Sequence, residues 1–138
     1  MTLKLLPFEK LIYVGIRDID DWEREIIDKH NIRHFTVQQV VDWVRENDDP
    51  IHVSFDVDAL DPSHVSSTGT KVDDGLHPYE VEEIIASTLA NDQLVSLDVV
   101  EFNGQLGDPD HSIKSVAKVF EKCIPEDERE KGVFGNYS

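Results

Sequence analysis

The stretch Ile51-His52-Val53-Ser54-Phe55-Asp56-Val57-Asp58 decides the fold of this 138-residue chain. It follows Pro50, is rich in β-branched and aromatic residues, and predicts a strand over residues 51–57. Similar apolar runs over residues 11–16 and 94–100 alternate with segments of helical periodicity. This alternation indicates βαβ units and a parallel sheet. We therefore predict an α/β fold of three layers, αβα, with an incomplete parallel sheet of about four strands.

The segments between these strands carry helix signals. Apolar residues recur every three or four positions after Asp21, Thr36, Pro78 and Pro109, which predicts four helices. A very short strand is predicted at residues 33–35. The strand runs are almost continuously apolar, which is typical of a sheet covered on both faces. Because so few strands would leave exposed sheet edges, we expect the chain to form part of something larger.

Charge and composition exclude several classes of partner. The chain has 13 basic and 29 acidic residues and a net charge of −16. A nucleic-acid backbone or an anionic membrane would be repelled, and no apolar stretch is long enough to span a bilayer. The single cysteine, Cys123, fits a reducing compartment, so we expect a cytoplasmic protein. Residues 1–124 are predicted to form one domain and residues 125–138 a charged tail.

Two carboxylates at the end of the central strand are the strongest candidates for a functional site. Alternation along an extended strand would place Asp56 and Asp58 on one face, at the carboxyl end where parallel sheets bind ligands. Oxygen ligands suit hard cations such as Mg²⁺ or Mn²⁺. Spacing alone leaves three interpretations open. They are a metal site, a solvated turn, and the nucleophile and acid of a phosphotransfer enzyme, the last weakened by Leu60.

Other candidates follow the remaining strands. Glu101 closes the strand at residues 94–100 and could hold a guanidinium or ammonium group, or could simply face water. The acidic residues after the first strand, such as Glu23, are ordinary complements of a helix dipole. The long irregular stretch 59–76 contains a hydroxyl-rich segment, residues 67–70, which is either a ligand contact or a turn. The six histidines show no metal-binding spacing, and each is expected to be structural or at the surface.

Four segments together resemble the ureohydrolases, and among them the arginases in particular. They are Val-Gly-Ile-Arg-Asp-Ile-Asp (14–20), Ser-Phe-Asp-Val-Asp-Ala-Leu-Asp-Pro (54–62), Ser-Thr-Gly-Thr (67–70) and Leu-Asp-Val-Val-Glu-Phe-Asn (97–103). The resemblance implies an αβα sandwich with a binuclear manganese cluster that activates water for attack on the guanidinium carbon of L-arginine or a related guanidino compound. The products would be ornithine and urea. It also implies an oligomer.

Residue roles follow only from this resemblance. Asp56 would bridge the two manganese ions and Asp58 would bind one of them. Glu101 would hold the guanidinium group of the substrate. Asp20 would meet the substrate α-amino group, with Glu23 as a more distant helper. Thr70 would lie at the mouth of the site, and Glu80 would serve a subunit contact.

The sequence departs from the family pattern in ways that bear on activity. The 138 residues contain neither the Gly-Gly-Asp-His nor the Asp-Ala-His-x-Asp motif that supplies the other metal ligands. The chain thus resembles the carboxyl-terminal half of an arginase, and whether it is an enzyme by itself is left open. Lys71, Asp73 and Asp74 replace small or apolar residues of the family. Three hypotheses follow: an arginase that needs its amino-terminal half, a non-catalytic module that assembles with a full-length arginase, and a small Mg²⁺-dependent Asp-x-Asp phosphohydrolase.

Overall fold

The computed structural model describes residues 6–124. Four strands alternate with four α-helices along this part of the chain. In chain order they are β1 (Ile12–Val14), α1 (Asp21–His30), β2 (Arg33–Phe35), α2 (Val37–Glu46), β3 (Ile51–Asp56), α3 (Pro78–Ala90), β4 (Leu94–Val100) and α4 (Pro109–Lys118). Short 3-10 turns lie at Phe8–Lys10, Val57–Ala59 and Glu121–Cys123. The α/β class and the four strands are confirmed.

The strands form two separate parallel sheets, which differs from the single sheet that we expected. β1 pairs with β2, and β3 pairs with β4 through a longer register that runs from Ile51–Leu94 to Asp56–Val100. The register shifts once between Ile51 and His52. Sequence periodicity identifies strands but carries no information on which strands are hydrogen-bonded, so the division into two sheets could not be read from it.

The helices begin where local chemistry places them. Thr36 caps α2, since its hydroxyl accepts the N–H of Gln39 and the Gln39 side chain accepts the N–H of Thr36. α3 begins at Pro78, whose missing N–H costs nothing in the first turn. The reciprocal cap at Thr36 pairs two backbone N–H groups that have no partner within the helix.

The main core lies between β3, α3 and α4. Its buried members all have apolar side chains that pack together: Phe55, Val57, Leu60, Val65, Val81, Ile85 and Val119. Phe120 contacts Phe55 edge to face. This core fixes the carboxyl end of β3, because Phe55 and Val57, the two neighbours of Asp56 in sequence, are both buried in it.

One face of the β3–β4 sheet is open, contrary to the expectation that both faces are covered. His52, Ser54 and Asp98 lie on this exposed face, where the Ser54 hydroxyl donates to Asp98 at 2.6 Å and the His52 ring lies 3.3 Å from the same carboxylate. On β4, Val95 is 65% exposed. The apolar run of β4 therefore has an uncovered surface among the described residues.

A long loop joins β3 to α3 and is closed at its base. Leu60 and Leu76 form an isolated parallel bridge, with hydrogen bonds from Asp61 N to Leu76 O and from Leu76 N to Ala59 O. Gly75 has no room for a side chain, because a Cβ there would lie 2.3 Å from the backbone nitrogen of Asp61. The loop thus leaves and re-enters the fold at one point.

Candidate metal centre

Asp56 and Asp58 are joined at the carboxyl end of β3. The strand ends at Asp56 and a 3-10 turn begins at Val57, so the strand alternation that we expected does not reach Asp58. The turn nevertheless brings the two residues together: the Asp56 carboxylate accepts the N–H of Asp58 at 3.1 Å. Asp56 and Asp58 therefore lie close together although the connection between them is a turn and not an extended strand.

Three carboxylates, those of Asp56, Asp58 and Glu101, lie near one guanidinium, that of Arg17. Burial, followed by the charge and hydrogen bond of Asp56, raises the pKa of the Asp58 carboxyl from 3.8 to about 6. Glu101 raises this pKa further, while the Arg17 guanidinium lowers it. The three carboxylates therefore form one electrostatic group, in which the ionised form of Asp58 is less favourable than that of an isolated aspartate.

Glu101 joins the group through an unusual backbone. It follows Val100, the partner of Asp56 in the strand register, and has φ of 65°. Side chains other than glycine rarely adopt this left-handed region, and such conformations concentrate at functional sites. The segment after Glu101 is held by a hydrogen bond from Asn103 N to Ser67 O at 2.8 Å. Glu101 thus follows β4 on a constrained stretch of backbone.

Arg17 clamps the backbone around the two aspartates, a role that sequence reasoning missed. Its guanidinium donates to the carbonyls of Asp58 and Ala59 at 2.8 and 2.9 Å, to Val72 at 2.9 Å and to Gly15 at 3.1 Å. The clamp joins the end of β1, the turn after β3 and the long loop. An arginine directly after an apolar strand was the available signal, but three of its four partner carbonyls lie more than 40 positions away in sequence.

Asp20 and Glu23 lie at the amino end of α1 and cap it. The Asp20 carboxylate accepts the N–H of Glu23 at 2.8 Å, and the Glu23 carboxylate accepts the N–H of Asp20 at 3.1 Å. Both side chains are exposed. Because Arg17 contacts Asp58, the segment that leads to Asp20 begins at the candidate centre.

The hydroxyl-rich segment is divided between the interior and the surface. Ser67 and Thr68 are buried, and the Ser67 hydroxyl donates to Leu106 O at 2.7 Å. Thr70 is exposed at the tip of the loop. Glu80 lies in the first turn of α3, where its carboxylate accepts the N–H of His77 at 2.8 Å. Ser67 is therefore structural, while Thr70 remains available for contacts from outside.

The donor set fits part of a metal site. Ionised carboxylates of Asp56 and Asp58 are suitable oxygen ligands for Mn²⁺ or Mg²⁺, and a cation would offset the burial and the repulsion that raise the pKa of Asp58. Within residues 6–124, however, no group of three or more histidine, cysteine, aspartate or glutamate side chains is arranged to hold a metal ion. The described residues thus supply a partial set of ligands.

A histidine pair lies away from this centre. Nε2 of His64 lies 2.8 Å from Nδ1 of His77. The closed loop between Leu60 and Leu76 brings these rings together across 13 positions of sequence. Their separation in sequence gave no metal-binding pattern, so only the folded loop reveals the pair.

The acidic side chains gather at the carboxyl ends of parallel strands, which is where α/β folds bind their ligands. Comparison with known proteins gives the family. The arginase family profile matches residues 1–124. The chain is 42% identical over 112 residues to an arginase of Glaciozyma antarctica and 40% identical over 116 residues to one of Neurospora crassa. Those alignments cover 72% and 76% of this chain.

A solved structure agrees with the sequence matches. The arginase of Entamoeba histolytica, determined in complex with L-ornithine, superposes with a TM-score of 0.76 at 29% identity, over 86% of this chain and 43% of that one. The chain belongs to the arginase family. It spans about a third of the length of the two curated relatives, 32% of each. Among the described residues, no helix is both long enough and apolar enough to cross a membrane.

Proposed function

We propose that this chain is the carboxyl-terminal part of an arginase-type ureohydrolase that converts L-arginine to L-ornithine and urea. The observation that carries the proposal is the electrostatic group of Asp56, Asp58 and Glu101, held at the ends of two paired strands. Family membership supports the reaction type. The phosphohydrolase alternative gains no support from the comparisons.

Asp56 and Asp58 would hold manganese together with histidine ligands from outside these 138 residues. Bound manganese supplies a water molecule with a lowered pKa and polarises the group under attack. The contribution of this chain is to orient both carboxylates. Arg17 serves that purpose by fixing the turn from Asp56 to Ala59, and its charge lowers the pKa of Asp58.

Glu101 would bind the guanidinium group of the substrate. A carboxylate and a guanidinium form charge-assisted, often paired hydrogen bonds, which fix orientation as well as position. The left-handed backbone at Glu101 would aim this carboxylate toward Asp58. Asp20 would receive the α-amino group of L-arginine, with Glu23 as a more distant helper. Thr70 would lie at the mouth of the site.

We further propose that the chain functions with the amino-terminal part of an arginase fold, supplied within a longer polypeptide or by a partner arginase. The two sheets are separate, and β4 exposes Val95 and the polar face around Asp98. The Entamoeba histolytica structure contains more than twice the length that aligns here, since 43% of it is covered. Glu80 would serve a subunit contact in an oligomer. The lone Cys123 supports a cytoplasmic location.

The test is urea release from L-arginine with excess Mn²⁺, by the chain alone and after mixing with the amino-terminal half of an arginase. We expect turnover in the mixture and none from the chain alone. Glu101→Gln should remove turnover while manganese binding persists, whereas Glu83→Gln, on an exposed helical glutamate, should leave both unchanged.

Each other outcome contradicts a defined part of the proposal. Turnover by the chain alone that disappears in Asp56→Ala would show that no further ligands are needed. Assembly without turnover would support the non-catalytic module instead. Normal turnover by Glu101→Gln would remove Glu101 from substrate binding.

A further inference from the structure

The two facing imidazoles of His64 and His77 lie on the side of the long loop next to α3, and nothing in the proposed reaction uses them. The nitrogen–nitrogen distance is 2.8 Å, with ring centroids 5.0 Å apart and ring planes inclined by 67°. One of the two facing nitrogens must carry the proton of this hydrogen bond, and the other must be unprotonated. The pair is therefore a place where one proton bridges two good metal ligands.

Both rings are held in place by separate parts of the fold. His64 follows the Asp61–Ser63 turn, in which the Asp61 carboxylate accepts the N–H of Ser63 at 2.9 Å, and His111 bonds to the Ser63 carbonyl at 3.0 Å. His77 precedes α3, where its N–H donates to Glu80, and its ring stacks on Tyr79 at 5.4 Å. Two imidazoles fixed from different segments lose little freedom when they bind a common ion.

The surroundings favour the neutral form of the His64 ring and leave the pair accessible. Burial, followed by the nearby His77, lowers the pKa of His64, so the imidazole remains uncharged at neutral pH, which is the form that binds metals. The pair borders a cavity of about 280 Å³ whose lining includes Tyr79, Glu82 and Lys118. That space can hold the water molecules that would complete the coordination of an ion.

We propose that His64 and His77 form a two-histidine site for a divalent transition metal ion, with Cu²⁺ or Ni²⁺ preferred. For metal–nitrogen bonds of about 2.0 Å, neighbouring ligands in a square arrangement are about 2.8 Å apart, and those in a tetrahedral arrangement about 3.3 Å. The observed 2.8 Å matches the square arrangement. Imidazole nitrogen also suits these ions better than it suits Mn²⁺.

Binding requires a change of tautomer and no change of net charge on the pair. The bridging proton leaves its facing nitrogen, and the outer nitrogen of the same ring becomes protonated. Both facing nitrogens then present lone pairs to the ion once the rings have turned so that the lone pairs converge on it. The site contains neither Asp56 nor Asp58, so it does not depend on the proposed ureohydrolase function.

The test is titration of the full chain with Cu²⁺ alone, followed by calorimetry and by the nitrogen hyperfine pattern in electron paramagnetic resonance. We expect one ion with two equatorial nitrogens, and a loss of affinity of about tenfold or more in His64→Gln and in His77→Gln. His34→Gln provides the matched control, because His34 is an exposed histidine on β2. Asp58→Asn should leave this site intact.

Selective broadening of the His64 and His77 ring resonances by Cu²⁺ reads the same site in the unaltered protein, should a variant fail to fold. Equal affinity in His34→Gln and both pair variants, with broadening spread over all histidines, would overturn the proposal. Loss of the signal in Asp58→Asn alone would assign the copper to the carboxylate centre and would also overturn it.

Discussion

Replacement of Arg17 by methionine removes the guanidinium clamp and keeps much of the side-chain volume. Three of its hydrogen bonds, to Asp58, Ala59 and Val72, join segments 41 to 55 positions apart. A hydrogen bond of this kind contributes about 1 kcal/mol net, so we expect a loss of about 3 kcal/mol in the free energy of unfolding. With a urea dependence of about 2 kcal/mol per molar, the unfolding midpoint should fall by about 1.5 M.

The control is Arg45→Met, on an arginine whose ion pair with Asp42 at 2.9 Å lies on the exposed surface of α2. Such pairs contribute about 0.3–0.5 kcal/mol, so this midpoint should barely move. Both variants are measured by urea unfolding at pH 7. A change in Arg17→Met no larger than that in Arg45→Met would refute the idea that the clamp holds the turn.

Arg17→Lys separates geometry from charge. A lysine keeps the positive charge near Asp58 but offers no planar fork for four carbonyls. We expect stability close to that of Arg17→Met, while the pKa of Asp58 stays near its original value. In Arg17→Met the pKa of Asp58 should rise above about 6, because the Arg17 charge lowers it. Carboxyl carbon shifts in a nuclear magnetic resonance titration report both variants.

The remaining predictions concern the loop, the aspartates and the core. Gly75→Ala should destabilise by about 1–3 kcal/mol in thermal or urea unfolding, since its Cβ meets backbone, while Gly69→Ala, with open space around it, should be neutral. The pKa of Asp58 is raised to about 6 chiefly by burial, so its protonation stabilises the folded state as pH falls from about 6 to about 4. Asp58→Asn should therefore stabilise the protein in urea unfolding at pH 7.5 and leave it unchanged at pH 3.5; equal effects at both would contradict this. Leu60→Ala should cost about 2–5 kcal/mol in the same assay and Leu89→Ala, at 40% exposure, far less.

Local signals predicted the elements of this fold well. Residues 33–35 and 94–100 are strands as expected, and Thr36 and Pro78 mark helix starts because their capping chemistry depends only on near neighbours. The strand predicted over residues 11–16 is shorter, Ile12–Val14. Strand ends depend on whether a neighbouring strand is present to accept hydrogen bonds, which no local window contains.

Long-range features could not be predicted in the same way. The clamp of Arg17 and the His64–His77 pair are produced by chain segments that meet only after the loop closes at Leu60 and Leu76. The acidic side chains Asp56 and Glu101 were identified from their positions at strand ends, and the structure places both near Asp58. Their roles toward manganese and substrate stay predictions. The sequence identified the acidic residues of the centre, and the fold determines how strongly their charges interact.

The bridge at the base of the β3–α3 loop makes the fold insensitive to changes at the tip of the loop. Because Leu60 and Leu76 already hold the two ends together, the entropy cost of changing the length between them grows only slowly. The exposed tip around Thr70 and Lys71 can therefore gain, lose or exchange residues with little penalty to the rest of the domain. A change of residues at this tip would leave Asp56 and Asp58 in position, because both lie before the bridge.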